Sequence, residues 1–283
     1  MGERTVLISG ASTGIGRATA LRLAGRGLDV LAGVRRAEDG EALEREAPGR
    51  IRPVILDVAD QATIVSTAET VRETAAGRGL AGLVNNAGIT VQGPLEYLAI
   101  DDLRRQLEVN VVGHVAVTQA MLPFLRAARG RIVNVGSVGG RISRPFIAPY
   151  NASKFAIRAI TDSLRKELRP WGIEVVLVEP GAIATPIWDK GEAAGREVVG
   201  GLPPEGRERY GESIESMTRF ALKTGRKGLP PEAAAEVVER ALTADRPRTR
   251  YLLGRDARAQ VVLNALLPDR WSDALEARVL GIR

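Results

Sequence analysis

The sequence predicts an α/β fold in which one doubly wound parallel sheet lies between two layers of helices. Two features predict it: short β-rich runs alternate with longer helical patterns, and these runs are apolar almost throughout. Strands that are apolar on both faces are typical of parallel sheets that helices cover on both sides. Because crossovers between parallel strands are right-handed, we expect helices on both faces of the sheet.

Each element follows from its own pattern. Seven apolar runs are the predicted strands: residues 5–9, 29–34, 51–56, 82–84, 130–135, 173–179 and 250–253. Six segments with helical spacing of apolar residues are the predicted helices: residues 15–26, 38–47, 60–76, 99–127, 150–170 and 231–244. No internal repeat and no linker interrupts this order before residue 182, so we expect a single domain over residues 1–283.

Two segments depart from the alternation. Residues 182–230 are dominated by Gly, Pro and charged residues, and their apolar period is weak. A long stretch without clear structure inside a compact domain is usually a lid or a binding loop, so we expect a substrate lid there. Residues 255–283 predict a C-terminal extension of one or two amphipathic helices, broken at Pro268.

The cysteine and histidine content excludes several chemistries. The 283 residues contain no cysteine and one histidine, His114. Disulfides, thiolate nucleophiles, Cys-ligated zinc and metal sites of several histidines are therefore excluded, and we expect no metal. His114 lies on an apolar helix and is expected to be a packing or interface residue. Chemistry here must use Tyr, Lys, Ser, carboxylates or a borrowed cofactor.

The net charge of +6 has a simple interpretation. The basic residues are mostly arginines scattered along the chain, and basic runs with interleaved aromatic residues are absent, which predicts no nucleic-acid partner. No apolar stretch approaches the length of about 18 residues that a membrane span needs, so we expect no integral span. A strand pattern begins almost at the first residue and leaves no room for a signal peptide, which favours a cytoplasmic protein.

A glycine-rich turn joins the first predicted strand to the first predicted helix. Its glycines allow a tight turn and a close approach to a pyrophosphate, while the helix N-terminus offers free N–H groups to phosphates. A turn between a strand and a helix predicts nucleotide binding, with a plain structural turn as the alternative. The cofactor residues expected here are Gly10, Ser12, Thr13, Gly14, Ile15 and Gly16.

The ends of the next two strands bear on the choice of cofactor. Arg35 and Arg36 follow the second strand, where a carboxylate would favour NAD, and two guanidiniums can instead clamp a 2′-phosphate. NADP(H) is therefore preferred over NAD(H), which stays possible; the alternative is two solvated arginines. Asp57 and Val58 close the third strand. Asp57 could bind the adenine amino group or only cap the next helix.

Three polar residues form a candidate catalytic group. Tyr150 and Lys154 are four residues apart on one predicted helix, and therefore lie on one face. A nearby ammonium stabilises a phenolate and lowers the tyrosine pKa towards a useful range. Ser137 follows the fifth strand at its carboxyl end, where doubly wound sheets bind ligands. Taken singly, Tyr-x-x-x-Lys occurs by chance in helices, and Ser137 could belong to a simple turn.

The order of these motifs narrows the interpretation. Gly10-x-x-x-Gly14-Ile-Gly16, Asn85-Asn86-Ala87-Gly88, Asn110, Ser137, Tyr150-Asn-Ala-Ser-Lys154 and Pro180-Gly181 follow one another at ordinary spacings. This order resembles the short-chain dehydrogenase/reductase family, a compact branch of Rossmann-fold oxidoreductases, over about residues 3–190. Several stretches look most like its retinol- and steroid-dehydrogenase-type members. The pattern departs from the commonest family form at Ser9, where Thr is usual, and at Thr13, where NADP-preferring members often have Arg or Lys.

The resemblance implies a role for each motif. Tyr150 would be the general acid/base, Lys154 would hold the nicotinamide ribose and lower the tyrosine pKa, and Ser137 would position the reacting oxygen. Asn110 would hold a water that links Lys154 to solvent. The further cofactor contacts that it implies are Asn86, Ala87, Gly88, Pro180, Gly181, Ile183 and Thr185.

Apolar side chains around Ser137 and Tyr150 suggest the substrate. The residues expected to line its pocket are Val138, Ile142, Phe146, Ile147, Ile187 and Trp188. Such a lining favours a lipophilic secondary alcohol, ketone or aldehyde over a sugar. The alternatives are an isomerase or lyase on the same fold, or a protein that senses NADP without catalysis. The family also implies a homodimer or homotetramer formed through the helices at 99–127 and 150–170.

Overall fold

The computed structural model describes residues 4–75 and 77–282, without the side chains of residues 189 and 190. Its strands are β1 (Thr5–Ser9), β2 (Asp29–Val34), β3 (Ile51–Ile55), β4 (Gly82–Asn85), β5 (Arg131–Val135), β6 (Glu174–Pro180) and β7 (Arg250–Leu253). They form one parallel sheet in the order β3-β2-β1-β4-β5-β6-β7. The predicted α/β fold is confirmed, and each predicted strand has its counterpart in this sheet.

The strand order places the ligand crevice. The chain builds the sheet outwards from β1 in one direction through β2 and β3, then returns to the other side of β1 with β4. Ligands of doubly wound sheets bind at this reversal, outside the carboxyl ends of the strands. Pro53 lies in β3, which pairs only with β2 among the described strands, so its missing N–H breaks no central ladder.

Helices cover both faces of the sheet. They are α1 (Gly14–Gly25), α2 (Ala37–Glu46), α3 (Gln61–Ala75), α4 (Ile100–Leu107), α5 (Gly113–Ala128), α6 (Ala148–Glu167), α7 (Ile187–Gly201), α8 (Pro204–Arg226), α9 (Pro231–Thr243), α10 (Arg255–Leu266) and α11 (Asp269–Leu280). The predicted helix 60–76 and the predicted domain and tail include residues 1–3, 76 and 283, which lie outside the described part of the chain.

Two apolar clusters, one on each face, form the core. Along β1, Val6 and Ile8 join the cluster under α1 and α9, while Leu7 joins the cluster under α3 and α5. This alternation follows from the two-residue period of a strand. All three side chains are at most 1% exposed. Burial on both faces explains why the strands are continuously apolar in sequence.

The predicted helix 99–127 is interrupted in the structure. A π-helical turn, Glu108–Val112, separates α4 from α5. Such turns are rare and are frequent at functional sites. Here the turn includes Asn110, whose side chain is fully buried.

Residues 182–230 are more ordered than the sequence indicated. Most of this segment forms α7 and α8, which are joined at Leu202 and Pro203. The expectation of a stretch without clear structure is therefore wrong, because glycines and charges obscure the helical period. The overlooked signal is a set of i,i+4 ion pairs, which support isolated helical turns. The pairs are Arg196–Glu192, Arg209–Glu205 and Arg219–Glu215.

The C-terminal segment forms two helices that meet at Pro268. The α11 helix packs on α8, where the Ser216 hydroxyl donates a hydrogen bond to the Leu280 carbonyl oxygen at 2.7 Å. Leu280 is buried there, whereas Leu266 and Trp271 on the outer side are 76% and 70% exposed. The tail therefore contacts its own chain through one face.

One stretch reaches the length and mean hydropathy of a membrane span, contrary to the prediction that no apolar stretch approaches this length. It is Ile100–Ala128, with a mean hydropathy of 1.2 in its most apolar window. A single such stretch is weak evidence for a membrane span, because core helices of globular proteins can have the same length and composition. Val117, Met121 and Leu125 on its α5 part pack against the sheet and are fully buried.

Candidate active site

The predicted site residues converge at the carboxyl edge of the sheet. The turn at Gly10 follows β1, Arg35 follows β2, Asn86 follows β4, Ser137 follows β5 and Gly181 follows β6. Parallel strands place these ends at one edge although they are far apart in sequence.

The glycine-rich turn has the backbone that the motif requires. Gly10 and Gly14 have φ values of 66° and 56°, in the left-handed region that favours glycine. A Cβ atom on Gly16 would lie 2.2 Å from the Gly10 carbonyl oxygen, so α1 crosses the strand end too closely for any side chain. Ser12 is half-buried and Thr13 is exposed, whereas Ile15 packs against the core cluster under α1.

Ser9 and Asn86 fasten this turn to β4. The Ser9 hydroxyl accepts hydrogen bonds from the backbone N–H groups of Asn86 and Ala87, both at 3.1 Å. Asn86 donates through Nδ2 to the carbonyl oxygens of Ser9 and Gly10, at 3.1 and 3.0 Å. A hydroxyl is what this position needs, which explains why Ser9 can replace the usual threonine.

The start of α1 fits the pyrophosphate of a dinucleotide. Its N-cap residue Thr13 makes no side-chain cap, and the first turn contains no acidic residue. The N–H groups of that turn and the positive end of the helix dipole therefore face the crevice without a competing carboxylate. Thr185 lies beside this turn, with its Cγ2 atom 3.1 Å from where a Cβ on Gly14 would be. Gly14, predicted to bind the pyrophosphate, and Thr185, predicted to contact the cofactor after β6, are therefore neighbours.

The two arginines after β2 are not equivalent. Arg36 forms a bidentate ion pair with Asp39, with Nε and Nη2 at 2.9 and 2.8 Å from the carboxylate oxygens. Arg35 is exposed. The prediction was that both guanidiniums clamp the 2′-phosphate. In the structure the Arg36 guanidinium is instead paired with Asp39, in the first turn of α2. Arg35 is consequently the better placed of the two for a 2′-phosphate.

Asp57 closes a turn just before α3 and does not itself cap that helix. Its Oδ1 atom accepts a hydrogen bond from the Ala59 N–H at 3.0 Å, and Asp60 caps the start of α3 through the Ala62 N–H at 2.9 Å. Val58 is 4% exposed and packs against Gly113 of α5. Contacts of Asp57 and Val58 with the adenine stay a prediction.

Tyr150, Lys154 and Ser137 come together as predicted from their spacing. The Lys154 Nζ atom lies 5.7 Å from the centroid of the Tyr150 ring. Lys154 is 5% exposed and donates to the Val135 carbonyl oxygen at 3.0 Å. The Ser137 Oγ atom accepts from the Gly139 N–H at 3.0 Å, which fixes its loop. The Tyr150 ring thus lies between the Lys154 ammonium and the Ser137 hydroxyl, with which the Tyr150 side chain is hydrogen-bonded.

Burial dominates the electrostatics of this group. It raises the pKa of Tyr150 above its ordinary value, and a hydrogen bond with the Ser137 hydroxyl lowers that pKa by a smaller amount. Burial also lowers the pKa of Lys154 to about 8. The family resemblance implied that Lys154 lowers the pKa of Tyr150. In this structure burial instead raises that pKa. Tyr150 is held as the neutral phenol at neutral pH, the form that can donate a proton.

Asn110 ties the π-helical turn to the irregular segment that follows β4. Its Oδ1 atom accepts from the Ile89 N–H at 2.9 Å, and its Nδ2 donates to the Ile89 carbonyl oxygen at 3.0 Å and to the Ser153 hydroxyl at 3.1 Å. Ser153 in turn donates to the Tyr150 carbonyl oxygen at 2.7 Å. The side chain of Asn110 is therefore used in packing, and a water held for Lys154 stays a prediction. Gly88 faces Asn110, whose Oδ1 lies 3.3 Å from where a glycine Cβ would be.

His114 is buried one turn beyond Asn110, as the packing interpretation predicts. Its Nε2 atom lies 2.6 Å from the Ala87 carbonyl oxygen, whereas Nδ1 is buried without a partner in the described chain. Burial, with the nearby Lys154 charge, lowers the pKa of His114 to about 4. The imidazole is therefore neutral at physiological pH, with Nε2 as its proton-bearing nitrogen.

Sequence reasoning missed an ion pair beneath the site. Arg141 donates two hydrogen bonds to Glu179, from Nε at 2.8 Å and from Nη2 at 2.6 Å. Glu179 is 1% exposed and immediately precedes Pro180. The pair joins the loop after Ser137 to the end of β6. An arginine in one loop and a glutamate in an apolar strand were the available signals, but no local spacing connects them.

The residues predicted to line the substrate pocket lie on two sides of the cleft. The backbone conformation of Phe146, on one side, was not indicated by the sequence. Phe146 has a φ of 64°, a left-handed conformation that is uncommon for an aromatic residue. Its carbonyl oxygen accepts from the Gly93 N–H at 2.7 Å, and its ring lies edge-on to that of Tyr210, 6.2 Å away. Strained conformations of this kind cluster at ligand sites.

The α7 and α8 helices supply the opposite side. The Trp188 indole packs against Gly225 of α8 and donates to the Ile183 carbonyl oxygen at 2.6 Å. Ile183 is 4% exposed, while Ile187 is 40% exposed. Val138, Ile142 and Ile147 are half-buried in the loop that runs from Ser137 to α6.

Over residues 4–75 and 77–282, no group of three or more His, Asp or Glu side chains is arranged to hold a metal ion.

Comparison with known proteins finds relatives over most of the chain. The family model described as short chain dehydrogenase matches residues 4–194. "NADPH-dependent 3-dehydrocapnine reductase" of Ornithobacterium rhinotracheale is 34% identical over 277 residues, covering 96% of this chain and 95% of the relative. "Retinol dehydrogenase 5" of Mus musculus is 37% identical over 281 residues, covering 97% of this chain and 88% of the relative. A solved short chain dehydrogenase from Burkholderia cenocepacia J2315, in complex with NADP, has a TM-score of 0.72 and 28% identity, with 98% of each chain covered.

These matches confirm the family predicted from the motif order, its likeness to retinol-dehydrogenase-type members and its oxidoreductase chemistry. The family model spans the glycine-rich turn, the Ser137 loop and the Tyr150 helix, and the relatives extend the similarity to nearly the whole chain. The chain belongs to the short-chain dehydrogenase family.

Proposed function

We propose that this protein is an NADP(H)-dependent oxidoreductase that interconverts a lipophilic secondary alcohol, such as a steroid- or retinoid-like one, and the corresponding carbonyl compound. The observation that supports it most is the group of Tyr150, Ser137 and the buried Lys154 at the carboxyl edge of the sheet. The same edge offers the uncapped start of α1 to a dinucleotide. When bound, the nicotinamide supplies the hydride for reduction and accepts it in oxidation.

Tyr150 is the proton donor in reduction. Its raised pKa keeps the phenol protonated at neutral pH, so it can give its proton to a carbonyl oxygen as negative charge develops there. Ser137 holds that oxygen with its hydroxyl. Lys154 lies against the phenol ring and stabilises the phenolate that remains after the transfer. In oxidation the same phenolate takes the proton from the alcohol.

The residues predicted for the cofactor are the ones that would hold it. The turn from Gly10 to Gly16 would bind the pyrophosphate, the Asn86–Gly88 stretch would line the cofactor, and Lys154 would hold the nicotinamide ribose. Preference for NADP(H) rests on Arg35, supported by a relative named as NADPH-dependent and by the NADP complex of the structural neighbour. NAD(H) is the weaker alternative.

The α7–α8 hairpin is the substrate lid. The Gln92 side chain donates to the Gly191 carbonyl oxygen at 2.5 Å, and Tyr210 on α8 donates to Glu96 at 2.7 Å. These contacts join the hairpin to the segment after β4. The half-buried apolar residues at Val138, Ile142 and Ile147 favour a lipophilic substrate beneath it.

The assembly and location are part of the proposal. Ile100, Val112 and Phe155 are 59%, 49% and 41% exposed on the α4–α5 and α6 helices, which supports a homodimer or homotetramer formed there. A cytoplasmic location, without nucleic acid as a partner, stays the prediction from sequence.

The test combines cofactor binding with turnover. We expect NADPH consumption with hydrophobic ketones and a loss of about 10²- to 10⁴-fold in kcat for Tyr150→Phe, with an unchanged Kd for NADPH measured by fluorescence. Tyr251→Phe on β7 is the matched control and should retain activity. Full activity of Tyr150→Phe would overturn the assigned role.

Arg35 provides a separate test of cofactor choice. Arg35→Ser should raise the Kd for NADPH about tenfold and leave the Kd for NADH unchanged, because only NADPH has the 2′-phosphate. Arg36→Ser should have a smaller effect, since Asp39 already holds that guanidinium. Equal affinities of the wild-type protein for NADPH and NADH would refute the NADP preference.

A further inference from the structure

Arginines that are scattered in sequence meet at the edge of the sheet opposite the active site. A half-open cavity of about 690 Å³ lies at the amino ends of β1, β4, β5, β6 and β7. Its lining includes seven arginines and one acidic residue, Glu174; the arginines are Arg4, Arg78, Arg129, Arg131, Arg165, Arg169 and Arg248. Arginines that are scattered along the sequence are therefore gathered by the fold at this edge.

Only part of this charge is neutralised within the protein. Arg131 pairs with Glu174 at 2.5 Å and donates to the Ala241 and Ala244 carbonyl oxygens. Arg165 pairs at 2.6 Å with Asp162, a carboxylate outside the cavity lining that also binds Arg250. These contacts account for two of the seven guanidiniums.

The remaining arginines exceed what the helices require. Arg78 also has an interaction within the chain. Arg4, Arg129, Arg169 and Arg248 form no ion pair with any acidic side chain over residues 4–75 and 77–282. The C-termini of α5, α6 and α9 lie at the cavity and favour cations, but each helix end is worth only about half a charge. Three such ends offset about 1.5 of the four positive charges, so the cavity keeps a positive excess.

We propose that this cavity binds a multiply charged, phosphate-bearing anion. Guanidinium groups bind phosphate oxygens in bidentate fashion, and several of them around one cavity favour a ligand with more than one phosphate charge. Arg129 follows the last residue of α5 in a left-handed conformation, with a φ of 48°. Its side chain is one of those that line the cavity. The ligand is a free phosphorylated molecule or a phospholipid headgroup, which share this chemistry.

The binding test uses tripolyphosphate as the probe. NADPH is kept at saturation, so that the turn at Gly10–Gly16 cannot take up the probe. The test variant is Arg129→Asn/Arg169→Gln, since asparagine tolerates the left-handed backbone at Arg129. The control is Arg45→Gln/Arg72→Gln, which removes two exposed arginines from α2 and α3. We expect calorimetry to show a Kd about tenfold weaker for the test variant, a change below about twofold for the control, and unchanged turnover for both.

Vesicles distinguish the two sources of the phosphate. Co-sedimentation with phosphatidylglycerol vesicles but not phosphatidylcholine vesicles, lost in the test variant and competed by tripolyphosphate, assigns the site to a headgroup. Tripolyphosphate binding without vesicle binding assigns it to a free anion. Absence of both, or equal weakening in the test and control variants, would overturn the proposal. Arg248→Gln on the loop before β7 is a second, milder variant that repeats the comparison.

Discussion

Arg141 reaches across the floor of the active site and holds the buried carboxylate of Glu179 with two parallel hydrogen bonds. The ion pair fixes the Ser137 loop against the end of β6, and therefore holds the Ser137 hydroxyl at a set distance from the Pro180-Gly181 stretch. The pairing raises the pKa of Arg141, so its charge is constant over the working range of pH.

Removing one partner should cost more than removing both. Arg141→Met leaves Glu179 buried without a counter-charge, and we expect a loss of about 3 to 5 kcal/mol in the free energy of unfolding by urea. Arg141→Met/Glu179→Leu should recover most of that loss, because no charge is then stranded. Arg104→Met, which breaks the exposed pair with Asp101, should cost less than about 1 kcal/mol. A double variant as unstable as the single one would contradict this account.

The buried Lys154 ammonium should lower the stability of the folded protein. Its pKa is lowered to about 8 from 10.5, so the folded protein bears the cost of a buried ammonium below about pH 8. That cost falls as the pH rises from 8 towards 10.5. Lys154→Met should therefore gain about 1 to 2 kcal/mol at neutral pH after the lost bond to Val135 is deducted, while turnover disappears. Urea unfolding beside NADPH turnover measures both; a less stable Lys154→Met protein would refute the argument.

The fold, the glycine-rich turn and the Tyr150–Lys154 pair could be predicted from local sequence patterns. Strand runs, the turn at Gly10 and the Tyr150–Lys154 spacing were predictable because each lies within one segment of about 20 residues or fewer. The Arg141–Glu179 pair and the arginine cavity were not, since their members are joined only by the sheet. The prediction of a lowered pKa for Tyr150 was wrong for a different reason. Burial raises this pKa, and burial depends on the whole fold and not on one neighbouring ammonium.

His114 should make stability fall in mild acid. Its pKa is lowered to about 4 from 6.5, so the unfolded chain binds an extra proton between these values and the folded state loses stability as the pH falls. From pH 7 to pH 5 this contribution amounts to about 2 kcal/mol. His114→Gln keeps a donor for the Ala87 carbonyl and has no titrating group. Urea unfolding at both pH values should show the smaller loss for His114→Gln; equal losses would exclude His114 as the cause.

Tyr210 is the contact by which the proposed lid can be tested. Its ring lies edge-on to Tyr97 and to Phe146, at 6.1 and 6.2 Å, and its hydroxyl donates to Glu96. Each aromatic contact of this kind is worth about 0.5 to 1.5 kcal/mol. Tyr210→Ala removes both contacts and should loosen α8 from the substrate loop, raising KM for the carbonyl substrate by roughly tenfold while the Kd for NADPH stays constant. Tyr210→Phe keeps the rings and loses only the exposed hydrogen bond, so its KM should change by less than about threefold. A KM unchanged in Tyr210→Ala would show that the α7–α8 hairpin does not close over the substrate.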